Sequence, residues 1–132
     1  MKYLLDTNTI VRHLNGRAPN VRTKIRAIQL ADLAVSAVVV AGLRYGAAKS
    51  VNPVRAITVQ DQFLNLIGFV PFDRQAAEAY GAIRATLERQ GTPIGANDLL
   101  IGATALAHQL ILVTHNTREF SRIAGLLYED WE

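Results

Sequence analysis

The chain has 132 residues, half of them hydrophobic, and a formal net charge of +3. This length and apolar fraction predict one folded domain, residues 1–132, with a sizeable core, and they exclude a disordered chain. Because there is no cysteine, disulfide bridges and thiolate metal sites are also excluded. No segment has the length of a membrane span or the pattern of a secretion signal, so we expect a soluble, cytoplasmic protein.

The basic residues are dominated by one type, since 11 of the 14 are arginine. The guanidinium group binds phosphate and carboxylate through two parallel hydrogen bonds. A modest positive charge also occurs in many domains without a charged partner, so this explanation stays open. The composition nevertheless favours nucleic acid or an acidic protein as a partner.

Short apolar runs that suit buried strands alternate with segments of helical spacing along the whole chain. The predicted strands comprise residues 3–5, 33–35, 69–72, 111–114 and 126–128, and the predicted helices comprise residues 7–14, 19–28, 37–50, 53–67, 74–90 and 96–109. Residues 38–40 would also suit a strand, but the surrounding alanines and the exit through Asn52-Pro53 favour a helix. Pro71 indicates that the third strand lies at a sheet edge. The alternation predicts an α/β fold of three layers, with a central parallel sheet between layers of helices.

The first predicted strand runs directly into a carboxylate, Asp6, which Thr7 and Asn8 follow. In an open parallel sheet, ligands bind at the carboxyl ends of the strands. A carboxylate there can bind a hard cation such as Mg²⁺ or Mn²⁺ through oxygen. Asp6 can equally serve as the N-cap of the helix that follows. The residues of this segment alone leave both interpretations open.

Other polar residues stand where strand ends and helix starts are expected to meet Asp6: Asn97-Asp98, Asn116 and Glu119. Asp98 carries the only charge between Gly91 and His108, in the first turn of a predicted helix, where the helix dipole also favours it. Two carboxylates in one cleft repel each other unless a cation or a proton lies between them. A Mg²⁺ ion held by carboxylates and waters would polarise a phosphate and activate water for hydrolysis.

Five sequence blocks then point to a family. In chain order they are Leu5-Asp6-Thr7-Asn8, Leu43-Arg44-Tyr45-Gly46-Ala47, Gly91-Thr92-Pro93-Ile94-Gly95 before Asn97-Asp98, Leu112-Val113-Thr114-His115-Asn116-Thr117-Arg118-Glu119-Phe120, and Tyr128-Glu129-Asp130-Trp131. With these blocks the chain resembles the VapC toxins of bacterial VapBC toxin–antitoxin pairs, which are PIN-domain ribonucleases.

The resemblance implies a PIN fold and Mg²⁺- or Mn²⁺-dependent cleavage of RNA, with transfer RNA among the targets of the family. It also implies a homodimer and a VapB-type antitoxin that covers the site. Carried over by position, Asp6 and Asp98 would be metal ligands. Asn116 matches a further polar position of the catalytic set, and Glu119 would support it.

One position departs from the family pattern, which has a glutamate immediately before Leu-x-Tyr-Gly, where this chain has Gly42. The glutamate is normally part of the acidic cluster, so its absence should lower metal affinity. Glycine inside a helix also costs about 1 kcal/mol relative to alanine. Drift or a packing need would explain Gly42, and so would selection of a weakened toxin. We therefore expect an attenuated ribonuclease toxin, or alternatively a catalytically inactive PIN-fold module that binds RNA or antitoxin.

The remaining candidates are less specific. His13, His108 and His115 titrate near neutral pH and are possible general bases, although the resemblance does not require one. Exposed arginines could line an RNA groove, and the candidates are Arg44, Arg84, Arg89 and Arg118. A receiver-like phosphatase domain would need paired acids near the first strand and a lysine at a late strand end, and both are absent.

Overall fold

The computed structural model describes all residues from Met1 to Glu132. Five parallel strands form one sheet in the order β3-β2-β1-β4-β5. The strands are β1 (Tyr3–Leu5), β2 (Leu33–Ser36), β3 (Gly68–Val70), β4 (Ile111–Val113) and β5 (Tyr128–Glu129). Seven helices flank the sheet: α1 (Thr7–Asn15), α2 (Pro19–Ala27), α3 (Ala37–Ala48), α4 (Pro53–Leu64), α5 (Arg74–Arg89), α6 (Ala96–Ala107) and α7 (Thr117–Phe120). The predicted α/β fold with a central parallel sheet is confirmed. None of these helices is long and apolar enough to cross a membrane.

The ambiguous segment after β2 is helical, because Ser36 caps it. The Ser36 hydroxyl oxygen accepts a hydrogen bond from the Val39 amide at 3.2 Å. This contact satisfies one of the free amides at the start of α3. The prediction of a helix there is confirmed.

Four strands differ from their predicted bounds by one or two residues, and the third and the last show why. The third strand ends at Val70, so Pro71 lies outside the ladder, and β3 is an edge strand as the proline indicated. The last strand begins at Tyr128 rather than Leu126. Leu126 is instead buried in the core, and the carbonyl of Leu127 accepts from the Leu112 amide before the strand starts. Burial of a single apolar side chain therefore does not mark the start of this strand.

The strands at the centre of the sheet carry the core. Leu4 and Leu5 of β1 and Leu112 and Val113 of β4 have no exposed surface. A strand covered by helices on both faces buries consecutive side chains, which explains the unbroken apolar runs. The chain proceeds outward from β1 to β3 and then returns to the other side of β1 as β4. Ligands of parallel α/β sheets bind at such a reversal, beyond the carboxyl ends of the two strands.

Helix α6 packs closely on the segment around α7, and Gly102 makes this approach possible. A Cβ atom at Gly102 would lie 2.6 Å from Ile123 Cδ1 and 3.5 Å from the Phe120 ring. We expect Gly102→Ala to lower the free energy of unfolding by about 1 kcal/mol, because overpacking a core outweighs the gain in helix propensity. Urea unfolding measures this change.

Gly81 of α5 provides the matched control, because no atom lies within 4 Å of its Cβ position. Gly81→Ala should raise the free energy of unfolding by up to about 1 kcal/mol through helix propensity alone. Equal stabilisation by both alanines would contradict a close approach at Gly102.

Candidate active site

Asp6 joins the carboxyl ends of the two central strands. It follows β1 directly, and only 7% of its surface is exposed. Its Oδ1 accepts a hydrogen bond from the Thr7 amide at 2.8 Å, and its Oδ2 accepts one from the Thr114 hydroxyl, also at 2.8 Å. Burial raises the pKa of Asp6, and these two hydrogen bonds act in the opposite direction. Asp6 therefore does cap α1, but the bond to Thr114 beyond β4 is one that an N-cap does not require.

Asp98, Asn116 and Glu119 form a second group of contacts at the same edge of the sheet. The Asn116 Nδ2 donates to Asp98 Oδ2 at 2.9 Å and to Glu119 Oε2 at 3.1 Å. Asp98 is partly buried in the first turn of α6, and Glu119 lies on α7. The structure thus brings the residues predicted from the sequence into one cluster, with Asn116 between the two carboxylates.

The electrostatics of this cluster reflect crowded negative charge. Burial, together with a hydrogen bond to Glu119 and the charges of Asp6 and Glu119, raises the pKa of Asp98 to about 7. The interaction with Asp98 and a hydrogen bond from Asn116 lower the pKa of Glu119. Two carboxylates this close to each other favour a proton or a cation between them.

An open cleft of about 490 Å³ lies over the carboxyl edge of the sheet. Its walls are polar, with Val11 as the one apolar contributor. The other lining residues are Asp6, Asn8, Arg12, Asn15, Arg17, His115, Asn116 and Glu132. The cleft therefore places Asp6 and Asn116 within reach of a large polar ligand.

A further group of possible metal ligands consists of His115 and Glu132, which line this cleft, and of Asp130. The Nδ1 of His115 lies 2.9 Å from Asp130 Oδ2 and 3.7 Å from Glu132 Oε2, and the ligand atoms of the three residues all lie within 4.8 Å of one another. The chain thus has a second set of side chains that could hold a divalent cation, and two of them line the same cleft as Asp6. Sequence reasoning missed this group. His115 follows β4 whereas Asp130 and Glu132 follow β5, and only the pairing of these two strands brings the three residues together.

The other histidines lie away from the cleft. His13 packs against Phe63, with ring centroids 4.8 Å apart, and its buried Nδ1 has no hydrogen-bond partner. The Nε2 of His108 lies 2.9 Å from Asp73 Oδ2. Of the three histidines considered as general bases, only His115 lines the cleft.

His13 should make the protein less stable in acid. Burial and the charges of Arg22 and Arg26 lower the pKa of His13 below its ordinary 6.5. As the pH falls through 6.5, the unfolded chain therefore binds a proton at this residue before the native protein does, and the free energy of unfolding decreases. Urea unfolding between pH 7 and pH 5 should show a smaller decrease for His13→Gln than for the parent. Identical pH dependence of the two proteins would contradict this assignment.

The arginines at the cleft differ from those proposed as RNA contacts. Arg44 is paired with Asp61, and Arg84 lies 3.0 Å from Glu88. Arg12 and Arg17 line the cleft instead. A helical surface with scattered arginines does not show which of them face a cleft, so sequence reasoning had no signal for this choice.

Comparison with known proteins identifies the family of the chain. Residues 3–126 match the PIN domain. The chain is 40% identical over 131 residues to the tRNA(fMet)-specific endonuclease VapC of Shigella flexneri, and 37% identical to the protein of the same name from Salmonella typhimurium. Each match covers 99% of this chain and 98% of the relative. The chain belongs to the PIN-domain family.

A solved VapBC complex also resembles this chain. The solved structure of DNA-bound VapBC from Salmonella typhimurium superposes with a TM-score of 0.94 at 36% identity, over 100% of this chain and 99% of that chain. With this agreement and the two sequence relatives, the chain is one of the VapC ribonucleases. The predicted resemblance is confirmed, and so are the fold and the class of protein.

Proposed function

We propose that this chain is the toxin of a type II toxin–antitoxin pair and hydrolyses RNA phosphodiesters as a metal-dependent endoribonuclease. One observation carries the proposal: Asp6 is fixed at the junction of β1 and β4, beside the cluster of Asp98, Asn116 and Glu119. The names of its relatives as tRNA(fMet)-specific endonucleases support transfer RNA as the substrate class.

The residues present fit a hard divalent cation, for which we propose Mg²⁺, with Mn²⁺ as a substitute. Asp6 and Asp98 offer carboxylate oxygens, the donors that such ions prefer. The neighbouring negative charges that raise the pKa of Asp98 also supply the attraction that a cation needs. When bound, the ion would activate a water molecule and stabilise charge on the phosphate oxygens.

The chain's own residues provide orientation. The Thr7 amide and the Thr114 hydroxyl each occupy one oxygen of Asp6 and fix the plane of its carboxylate. The Asn116 side chain donates one hydrogen bond to Asp98 and one to Glu119, and it thereby orients both carboxylates. Because these groups are held before a ligand arrives, little reorganisation is needed when charge develops on the phosphate.

The proposed toxin function also implies protein partners for the chain. VapBC complexes are among the solved relatives, and we propose a VapB-type antitoxin that covers the cleft. We further propose a homodimer that works in the cytoplasm, where transfer RNA is found. Exposed apolar residues near the start of α4 provide surface for a protein partner: Val51, Val54, Ile57 and Val59.

Gly42 is proposed to attenuate the enzyme. It is exposed on α3, and a Cβ atom there would lie 3.6 Å from Oγ1 of Thr7, which is the residue that follows Asp6. The family's glutamate would therefore border the acidic cluster, and its absence removes a carboxylate from this region.

The proposal is tested by incubating the purified protein with transfer RNA and total cellular RNA in Mg²⁺, in Mn²⁺ and in excess EDTA. We expect cleavage only with a divalent ion, and a loss of at least about 100-fold in Asp6→Asn. RNA that is bound but never cut, with either metal, would instead favour the inactive binding module.

A further inference from the structure

The cleft that contains Asp6 also presents two guanidinium groups, which the assignment of a metal site does not use. They belong to Arg12, in the last turn of α1, and to Arg17, just beyond the helix. An acidic cluster repels the phosphates of RNA, so a nuclease cleft needs cations close to the reacting phosphate.

The backbone of Arg17 is fixed by a hydrogen bond, whereas its side chain has no partner. The Asn15 Oδ1 accepts a hydrogen bond from the Arg17 amide at 2.9 Å, and Gly16 between them adopts a left-handed conformation with φ of 72°. Below this turn, the Arg22 Nη2 donates to the His13 carbonyl at 3.1 Å. The guanidinium of Arg17 has no ion pair and no hydrogen bond anywhere in the chain. Arg17 therefore lines the cleft with all its guanidinium donors available.

Arg12 differs, because it already has an anionic partner. Its Nη1 lies 3.3 Å from Glu132 Oε1, and the Arg12 side chain is 45% exposed. Glu132 lines the same cleft, and its other carboxylate oxygen is shielded from solvent without a hydrogen bond. A phosphate that approached Arg12 would compete with this carboxylate.

We propose that Arg12 and Arg17 form a phosphate-binding wall that holds the RNA backbone beside the scissile bond, and that Glu132 competes with RNA for Arg12. This inference rests on the proposed ribonuclease function and assigns the contacts that position its substrate. Guanidinium and phosphate match in geometry and form paired, charge-assisted hydrogen bonds. Glu132 then weakens RNA binding, so its removal has an effect opposite in sign to the removal of either arginine.

The test measures RNA binding without cleavage. In EDTA and in an Asp98→Asn background, binding of fluorescent transfer RNA is followed by anisotropy across a series of salt concentrations. We expect Arg17→Ala to weaken binding about fivefold and to reduce the slope of log affinity against log salt by about 0.7 to 0.9. Arg74→Ala is the matched control, because that side chain is 93% exposed on α5 and does not line the cleft.

Glu132→Gln provides the result that separates competition from a merely structural contact. We expect it to tighten RNA binding about threefold, and we expect this gain to disappear when Arg12→Ala is also present. Urea unfolding of each variant checks that the fold is retained. The inference is overturned if Arg17→Ala behaves like Arg74→Ala, or if a folded Glu132→Gln protein binds RNA no more tightly than its parent. Since the readout is binding in EDTA, failure of the proposed hydrolysis would be seen separately, in the cleavage assay.

Discussion

Gly42→Glu should raise metal-dependent RNA cleavage about tenfold or more and should tighten divalent-ion binding by a similar factor, about 1.4 kcal/mol. The geometry permits the side chain, because a Cβ atom at this position would make ordinary contacts of 3.6 and 3.7 Å with Thr7. The glycine is thus not required by a close approach. A further carboxylate beside Asp6 adds an oxygen ligand and negative charge, and both favour Mg²⁺ or Mn²⁺.

Gly46→Glu is the control for this gain. It introduces the same charge into the same helix, four residues or about 6 Å farther along α3, and no atom lies within 4 Å of its Cβ position. Calorimetric titration with each metal and cleavage of one transfer RNA compare the two variants with the parent. Equal gains at positions 42 and 46 would show a general effect of charge, and no gain at position 42 would remove Gly42 as the cause of attenuation.

Asp98→Asn should reduce the rate of RNA cleavage at least about 100-fold. The same substitution should stabilise the metal-free protein near pH 8. Asparagine has the shape of aspartate, so its oxygen can still accept from Asn116 while its amide donates to Glu119. The burial of a charge and the repulsion by Asp6 and Glu119, which contribute to raising the pKa of Asp98 to about 7, are both removed. We expect a gain of about 1 kcal/mol in the free energy of unfolding, because solvent screens a half-exposed carboxylate.

The sign of this effect follows from proton uptake on folding. The unfolded Asp98 titrates near 3.8 and the native one near 7, so native stability falls as the pH rises through this window. Urea unfolding in EDTA should therefore show a larger gain for Asp98→Asn at pH 8 than at pH 5. Asp61→Asn is the control, since Asp61 is paired with Arg44 and its removal relieves no repulsion. A destabilised Asp98→Asn protein at pH 8, or one that still cuts RNA, would contradict the assignment.

The sequence could predict most of the sheet because each of the first four strands is a short, largely apolar run followed by a helix start. It could also predict that Asp6 and Asp98 stand at strand or helix ends, since each interrupts an apolar context. Their roles as metal ligands remain proposals. The order of the strands was not accessible, and the bond from Thr114 to Asp6 depends on that order, because it joins residues 108 positions apart.

The arginines of the cleft were harder to predict from the sequence than its acidic residues. Arg12 and Arg17 look like any solvated arginines until the turn after α1 is seen to face the cleft. Glu132 arrives there because Trp131 is buried, with its ring centroid 5.1 Å from that of Tyr3. No spacing rule connects a terminal segment with the first helix, so the fold had to be known.

The hydrogen bond between Asp6 and Thr114 also has a consequence for synthesis. The ribosome synthesises β1, α1 and the phosphate-binding wall early, but it reaches β4 only after about four-fifths of the chain. Thr114, Asn116 and Glu119 come later still. A ribosome paused at residue 110 thus carries a nascent chain that lacks Asn116 and Glu119 of the site and the hydrogen bond from Thr114 to Asp6. Within the proposed function, incomplete toxin is harmless to the cell that makes it, and the antitoxin has the whole elongation time in which to be ready.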